Sequence, residues 1–136
     1  MARILLIDDD DDVRSILCST LTRFGHTVIE ARNGREGILL FPQAAADLVI
    51  TDIVMPEKEG LEVLMELRGK HPLVKIIAIS GGGRTNSASN YLHLAKKLGA
   101  AQVLEKPFPA QVLMAAVDEV LRSGESQSPD KPPTAS

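Results

Sequence analysis

A single cysteine, Cys18, stands among the 136 residues, so no internal disulfide can form, and a lone thiol on a helix is consistent with a reducing compartment. Its expected role is packing. Apolar stretches are only a few residues long, far below the roughly 20 needed to span a bilayer, and the N-terminus lacks a signal-peptide core of about 7 to 15 apolar residues. A cytoplasmic protein is the expectation. No Lys/Arg cluster exceeds the pair Lys96-Lys97 and the net charge is −3, so the basic footprint of a direct nucleic-acid binder is missing. Lys-Ser and Lys-Thr pairs are absent, and Gly81-Gly82-Gly83 fits no dinucleotide or phosphate-loop pattern. His26, His71 and His93 are isolated from one another and from any cysteine pair, which argues against a zinc site or a histidine base.

What is present is a soluble-domain composition, with 44% apolar and 24% charged residues in a length that suits one core. The folded domain is expected over residues 1–122. Residues 123–136, with three prolines, four serines and no large apolar side chain, cannot offset the entropy cost of ordering and read as a disordered tail or linker stub.

Short apolar runs recur at Ile4–Ile7, Val28-Ile29, Leu48–Ile50, Ile76–Ile79 and Val103-Leu104. Apolar residues on consecutive positions suit strands buried on both faces of a parallel sheet. Helical patterns fill the gaps. The first starts near Asp10 as N-cap and carries Val13, Ile16, Leu17, Leu21 and Phe24 before Gly25; a second follows Asn33-Gly34 and stops before Pro42. A third runs from about Gly60 to Gly69, a fourth from near Ser87 to Gly99, and a fifth carries Leu113, Val117, Val120 and Leu121. The fold class is therefore α/β, a doubly wound (βα)5 sandwich.

Parallel strands joined by right-handed crossovers place their C-terminal ends on one edge. Here those ends are Asp8-Asp9, Thr51-Asp52, Ser80-Gly81 and Glu105-Lys106-Pro107. For strand order 2-1-3-4-5 the ligand crevice lies between strands 1 and 3, which the acids flank. Carboxylates brought together repel unless a cation sits among them, and Mg2+, which takes hard oxygen ligands and keeps open positions, is the expected guest. A carboxylate can attack phosphorus to form an aspartyl phosphate, and Asp52, alone at its strand end, is best placed to do so. Ser80 and Lys106 would then donate to phosphoryl oxygens. Asp10 to Asp12 need no such role, since they suit a helix cap and its first turn.

The segments ILLIDDDDDVR (4–14), DLVITDIVMPEKEG (47–60), KIIAISGGG (75–83) and LGAAQVLEKPF (98–108) together resemble the receiver domain of two-component response regulators over about residues 2–122. The resemblance implies a flavodoxin-like five-stranded parallel sheet in order 2-1-3-4-5. It implies that Asp52 accepts a phosphoryl group from a histidine kinase or histidine phosphotransfer protein. Asp9, Asp52 and the backbone carbonyl of Val54 would hold Mg2+, with Asp8 assisting through water, while Ser80 and Lys106 contact the phosphoryl group. The bond before Pro107 is expected to be cis, as X-Pro chemistry permits. Output is expected through a partner bound on the face of helix 4, strand 5 and helix 5, with catalysis limited to the domain's own phosphorylation and dephosphorylation.

Three features depart from the pattern. Val103 stands where many receivers place Phe or Tyr, Gly82 and Val54 occupy positions that tune phosphoryl hydrolysis, and the stretch from Ser80 to Gly99 is a few residues long for the family. A stand-alone receiver with no output domain after residue 122 is the expectation, and a fragment of a longer regulator is the alternative. The alternative reading is a constitutive interaction module that kept the fold and lost the switch. A small phosphatase is a third, and it lacks an aspartate two residues beyond Asp52, where Val54 sits.

Overall fold

The computed structural model describes residues 2–53, 59–80 and 93–126. Five parallel strands, β1 (Arg3–Ile7), β2 (Thr27–Ala31), β3 (Leu48–Asp52), β4 (Ile76–Ser80) and β5 (Gln102–Glu105), form one sheet in the order β2-β1-β3-β4-β5. Helices α1 (Asp11–Arg23), α2 (Gly34–Ala44), α3 (Glu59–Lys70), a helical segment α4 over residues 93–97 and α5 (Ala110–Ser126) cover its faces. The strand runs are apolar at every position because alternate side chains enter different cores. Ile4, Leu6, Ile50 and Ile77 pack under α1 and α5 with Leu17, Leu21, Leu113 and Val117. Leu5, Ile7, Val49 and Ile76 pack under α2 and α3 with Leu61, Leu64 and Leu67. The doubly wound α/β fold is thus the one the sequence pattern implied, and the strand order is the flavodoxin-like one that the resemblance implied.

Helix α1 starts where a cap was expected. The Asp10 side chain accepts hydrogen bonds from the backbone N–H of Asp12 (2.9 Å) and Val13 (3.1 Å), and Gly25 at φ 96° ends the helix. Its buried stripe is narrower than the periodicity predicts: Leu17 and Leu21 are buried, whereas Ile16 and Phe24 are exposed. α1 lies mainly against β2, the edge strand of the sheet, and meets the core through Val13, Leu17, Cys18 and Leu21.

Helix α2 opens with a reciprocal cap, in which Glu36 N–H donates to Asn33 Oδ1 (2.8 Å) and Arg32 N–H donates to Glu36 Oε1 (2.6 Å). It does not stop before Pro42 but runs through it to Ala44. Pro42 sits in the last turn, and the side chains of Ile38, Leu40 and Phe41 pack on the core and hold the helix there. Gly37 faces Ile7 so closely that an added Cβ would overlap that side chain. α5 continues to Ser126, so residues 123–126 belong to a helix rather than to the tail expected from residue 123. Residues 127–136 lie outside the described residues.

Candidate functional site

The carboxyl edge of the sheet gathers the chemistry. Asp8 follows β1 and is 1% exposed, Asp52 ends β3 and is 6% exposed, and Ser80 ends β4 and is fully buried. Register explains their proximity: Ile7 pairs with Thr51, and Asp52 pairs with Ile79, so the residues that end these strands stand side by side. One oxygen from each of Asp8, Asp9 and Asp52 lies within 4.8 Å of the others. Asp9 is exposed and forms the solvent side of that group.

Lys106 reaches the same point from the end of β5. Its Nζ lies 3.3 Å from Asp52 Oδ2 and 3.7 Å from Asp8 Oδ2, and its backbone N–H donates to Ser80 O at 2.8 Å. The Lys106-Pro107 peptide bond is cis. The backbone carbonyl of Val54 and the Gly81–Gly83 run, with Gly82, lie outside the described residues, as does most of the segment from Ser80 to Gly99.

Among the described residues, one ammonium does not balance three carboxylates. Burial pushes the Asp8 carboxyl from 3.8 up to about 6; the Asp10 N–H on Oδ1 (2.9 Å) opposes the rise, the Asp52 charge adds to it, Lys106 opposes it and Asp9 adds to it. Asp8 Oδ2 is buried without a hydrogen bond. An acceptor left this way costs about 1–3 kcal/mol, and a hard cation among the three oxygens would remove that cost. The donor set therefore fits Mg2+.

The strand-end argument brought together Asp8, Asp9, Asp52, Ser80 and Lys106, and all five lie on this edge. It missed Arg14. The Arg14 guanidinium is mostly buried, donates to Asp8 O through Nη1 (2.8 Å), and pairs with Asp11 (2.6 Å) and Glu30 (3.1 Å), so it ties the end of β1 to α1 and β2. A signal was present in the sequence, namely a lone arginine three residues after Asp11 on the same helix face.

An acidic crevice at the switch point of a doubly wound parallel sheet defines a class of small α/β modules that bind ligands outside the carboxyl ends of their strands. A family model described as the response regulator receiver domain matches residues 4–118. The transcriptional regulatory protein AfsQ1 of Streptomyces coelicolor is 35% identical over 130 residues, covering 96% of this chain and 56% of that protein. The sensor kinase CckA of Brucella abortus is 38% identical over 122 residues, covering 88% of this chain and 12% of that protein. Among solved structures, a response regulator receiver domain protein of Clostridium thermocellum aligns with a TM-score of 0.84 at 30% identity, over 94% of this chain and 100% of that one. The receiver domain of NtrX from Brucella abortus aligns with a TM-score of 0.81 at 30% identity, over 88% and 98%. The chain belongs to the receiver-domain family of two-component response regulators. It spans about half the length of curated relatives such as AfsQ1. No described helix is long and apolar enough to cross a membrane.

Proposed function

We propose that this domain is a phosphorylation-switched signalling receiver that takes a phosphoryl group onto Asp52 from a histidine kinase or histidine phosphotransfer protein in a Mg2+-dependent reaction. The observation that carries the proposal is the meeting of Asp8, Asp9 and Asp52 within 4.8 Å, with Lys106 Nζ 3.3 Å from the Asp52 carboxylate. An Asp52 oxygen attacks phosphorus; the P–O bond forms as the P–N bond to the donor imidazole breaks, and the imidazole leaves with the electron pair and takes up a proton. Asp8, Asp9 and Asp52, together with the Val54 carbonyl, would hold Mg2+, which supplies neutralisation of the charge developing on the phosphoryl oxygens.

Lys106 holds Asp52 in place before transfer and can follow the new phosphoryl oxygens after it, because an ammonium on a four-carbon stem needs only rotamer changes to do so. Ser80, at the end of the adjacent strand, is placed to donate its hydroxyl to another of those oxygens. Arg14 and the Asp10 N–H fix the backbone and one oxygen of Asp8, leaving Oδ2 toward the cluster. The signal would pass to a partner through α4, β5 and α5, where half-buried Val103 packs against the core beneath α2 and α3.

Incubation with Mg2+ and a small acyl phosphate should add one phosphoryl mass that Asp52→Asn abolishes, and an unchanged wild-type mass would sink the proposal. A Mg2+ titration separates this reading from a constitutive interaction module, which would bind no metal at millimolar concentration. Phosphotransfer profiling against candidate kinases would then identify the donor.

A further inference from the structure

The opposite, amino edge of the sheet carries a feature that phosphoryl chemistry does not use. The loop over residues 71–75 enters β4, and at its apex Leu73 is 91% exposed, the most exposed large apolar side chain among the described residues. Single exposed leucines are common and need no explanation. This one is held outward. Arg68 Nη1 donates to the carbonyls on either side of it, Pro72 O at 2.8 Å and Val74 O at 3.1 Å. Val74 N–H donates to His71 O (2.9 Å), and His71 N–H donates to Leu67 O (2.8 Å). Gly99, at φ 116°, leaves room for this arginine, since a Cβ there would stand 2.6 Å from Arg68 Nε.

Leu73 forms a ridge between two clefts. One, of about 420 Å³, is lined by Phe41, Ala46, His71 and Val74, with the Phe41 and His71 rings 4.5 Å apart, and by the charged Asp47, Lys70 and Lys75. The other, of about 380 Å³, shares Lys75 and is also lined by Arg68 and Glu119. An apolar knob therefore sits beside a hole that offers it Phe41, Ala46 and Val74 on the same surface, as a two-fold contact in which one patch serves both sides requires. The charges agree with that geometry. A uniformly acidic partner would meet Asp47 and Glu119, and a uniformly basic one would meet Lys75 and Arg68, whereas a second copy brings both signs to both clefts.

We propose that two copies of this chain pair through the amino edge of the sheet, Leu73 of each entering the Phe41–Val74 cleft of the other, with Lys75 of one facing an acid of the other. The contact leaves the Asp8–Asp52–Lys106 edge open, so pairing and phosphorylation are compatible. The proposal stands independently of the function assigned to Asp52.

Sedimentation over a micromolar-to-millimolar range should show a reversible monomer–dimer equilibrium. Leu73→Asp should weaken it by at least about tenfold, because a central anchor is lost and a charge is buried in its place. Leu73 is exposed, so its replacement leaves the fold intact, and an unaltered circular dichroism spectrum checks this. In a Cys18→Ser background, a mixture of Leu73→Cys chains and Ala46→Cys chains should form a disulfide between positions 73 and 46 under oxidised glutathione. A protein that stays monomeric to millimolar concentration overturns the proposal and leaves the patch to a different kind of partner. A dimer that survives Leu73→Asp, or the absence of the 73–46 crosslink, overturns it as well.

Discussion

The two edges of the sheet are built from the same five strands, yet they obey different rules. At the amino edge several polar groups are paired: Arg68 bridges two carbonyls, Asp47 accepts from Arg3 N–H at 2.9 Å, and Lys70 pairs with Glu66 at 2.9 Å. Among the described residues of the carboxyl edge, three acids crowd one lysine and a buried Asp8 oxygen has no hydrogen bond. A chain selected for stability alone would not keep such a cluster, since breaking the charge balance of buried groups is among the costliest things a fold can do. Crowded charge thus marks the edge at which we place phosphoryl chemistry, and paired charge marks the edge at which we place contact between chains.

The largest test of that contrast is Asp52→Asn, which should take phosphoryl incorporation from small acyl phosphates to an undetectable level in intact-mass spectra while Leu73→Asp leaves it unchanged. The next effect is thermodynamic. Asp8 binds its proton more tightly in the folded protein, at about 6, than in the unfolded chain, at 3.8. Metal-free stability from this group should therefore fall as pH rises from about 4 through about 6, by at most about 3 kcal/mol. Asp8→Asn should remove that slope in urea titrations at a series of pH values. Mg2+ should raise the melting temperature of the wild type more at pH 8 than at pH 5, where Asp8 carries a proton, and a pH-independent Mg2+ effect would remove Asp8 from the metal site.

A third, smaller effect concerns the packing beneath Asp8. An Ala side chain at position 37 would lie 2.8 Å from Ile7 Cγ1, on the strand that leads into the acid cluster. Gly→Ala within a helix ordinarily gains up to about 1 kcal/mol, whereas overpacking a core costs about 1–3 kcal/mol. Gly37→Ala should accordingly destabilise by about 1–2 kcal/mol in chemical denaturation, and a stabilised variant would show that α2 is free to move off β1.

The sheet was legible because burial on both faces writes itself as consecutive apolar residues, and the carboxyl edge was legible because parallel strands must end together. Ile4–Ile7 followed by Asp8-Asp9, and Leu48–Ile50 followed by Thr51-Asp52, state both facts within a few residues. Helix limits were less legible. Pro42 predicts a stop, but core contacts of Ile38 and Phe41 outweigh one lost backbone hydrogen bond in a last turn. The stripe Val13–Phe24 has helical period, yet period cannot say how much of the stripe a neighbour covers, and the position of β2 at the sheet edge leaves Ile16 in solvent. Residues 123–126 lack the apolar content that would mark them as helix, and they extend α5 from its buried turns. The Asp11–Arg14 spacing signals an ion pair, but the bond from Arg14 to the Asp8 carbonyl, which ties it to the site, runs through backbone that sequence patterns do not display.

The smallest expected effect comes from the amino edge. Leu73 makes no core contact that its truncation could remove, so Leu73→Asp should change unfolding free energy by no more than about 0.5 kcal/mol when measured on monomer at low concentration. Measured at high concentration the same substitution should lower apparent stability further, because an assembly that binds only folded chains stabilises them by mass action. The difference between the two concentrations isolates the interface from the fold. An equal effect at both would mean that Leu73 acts within one chain, and the amino edge would then be structural only.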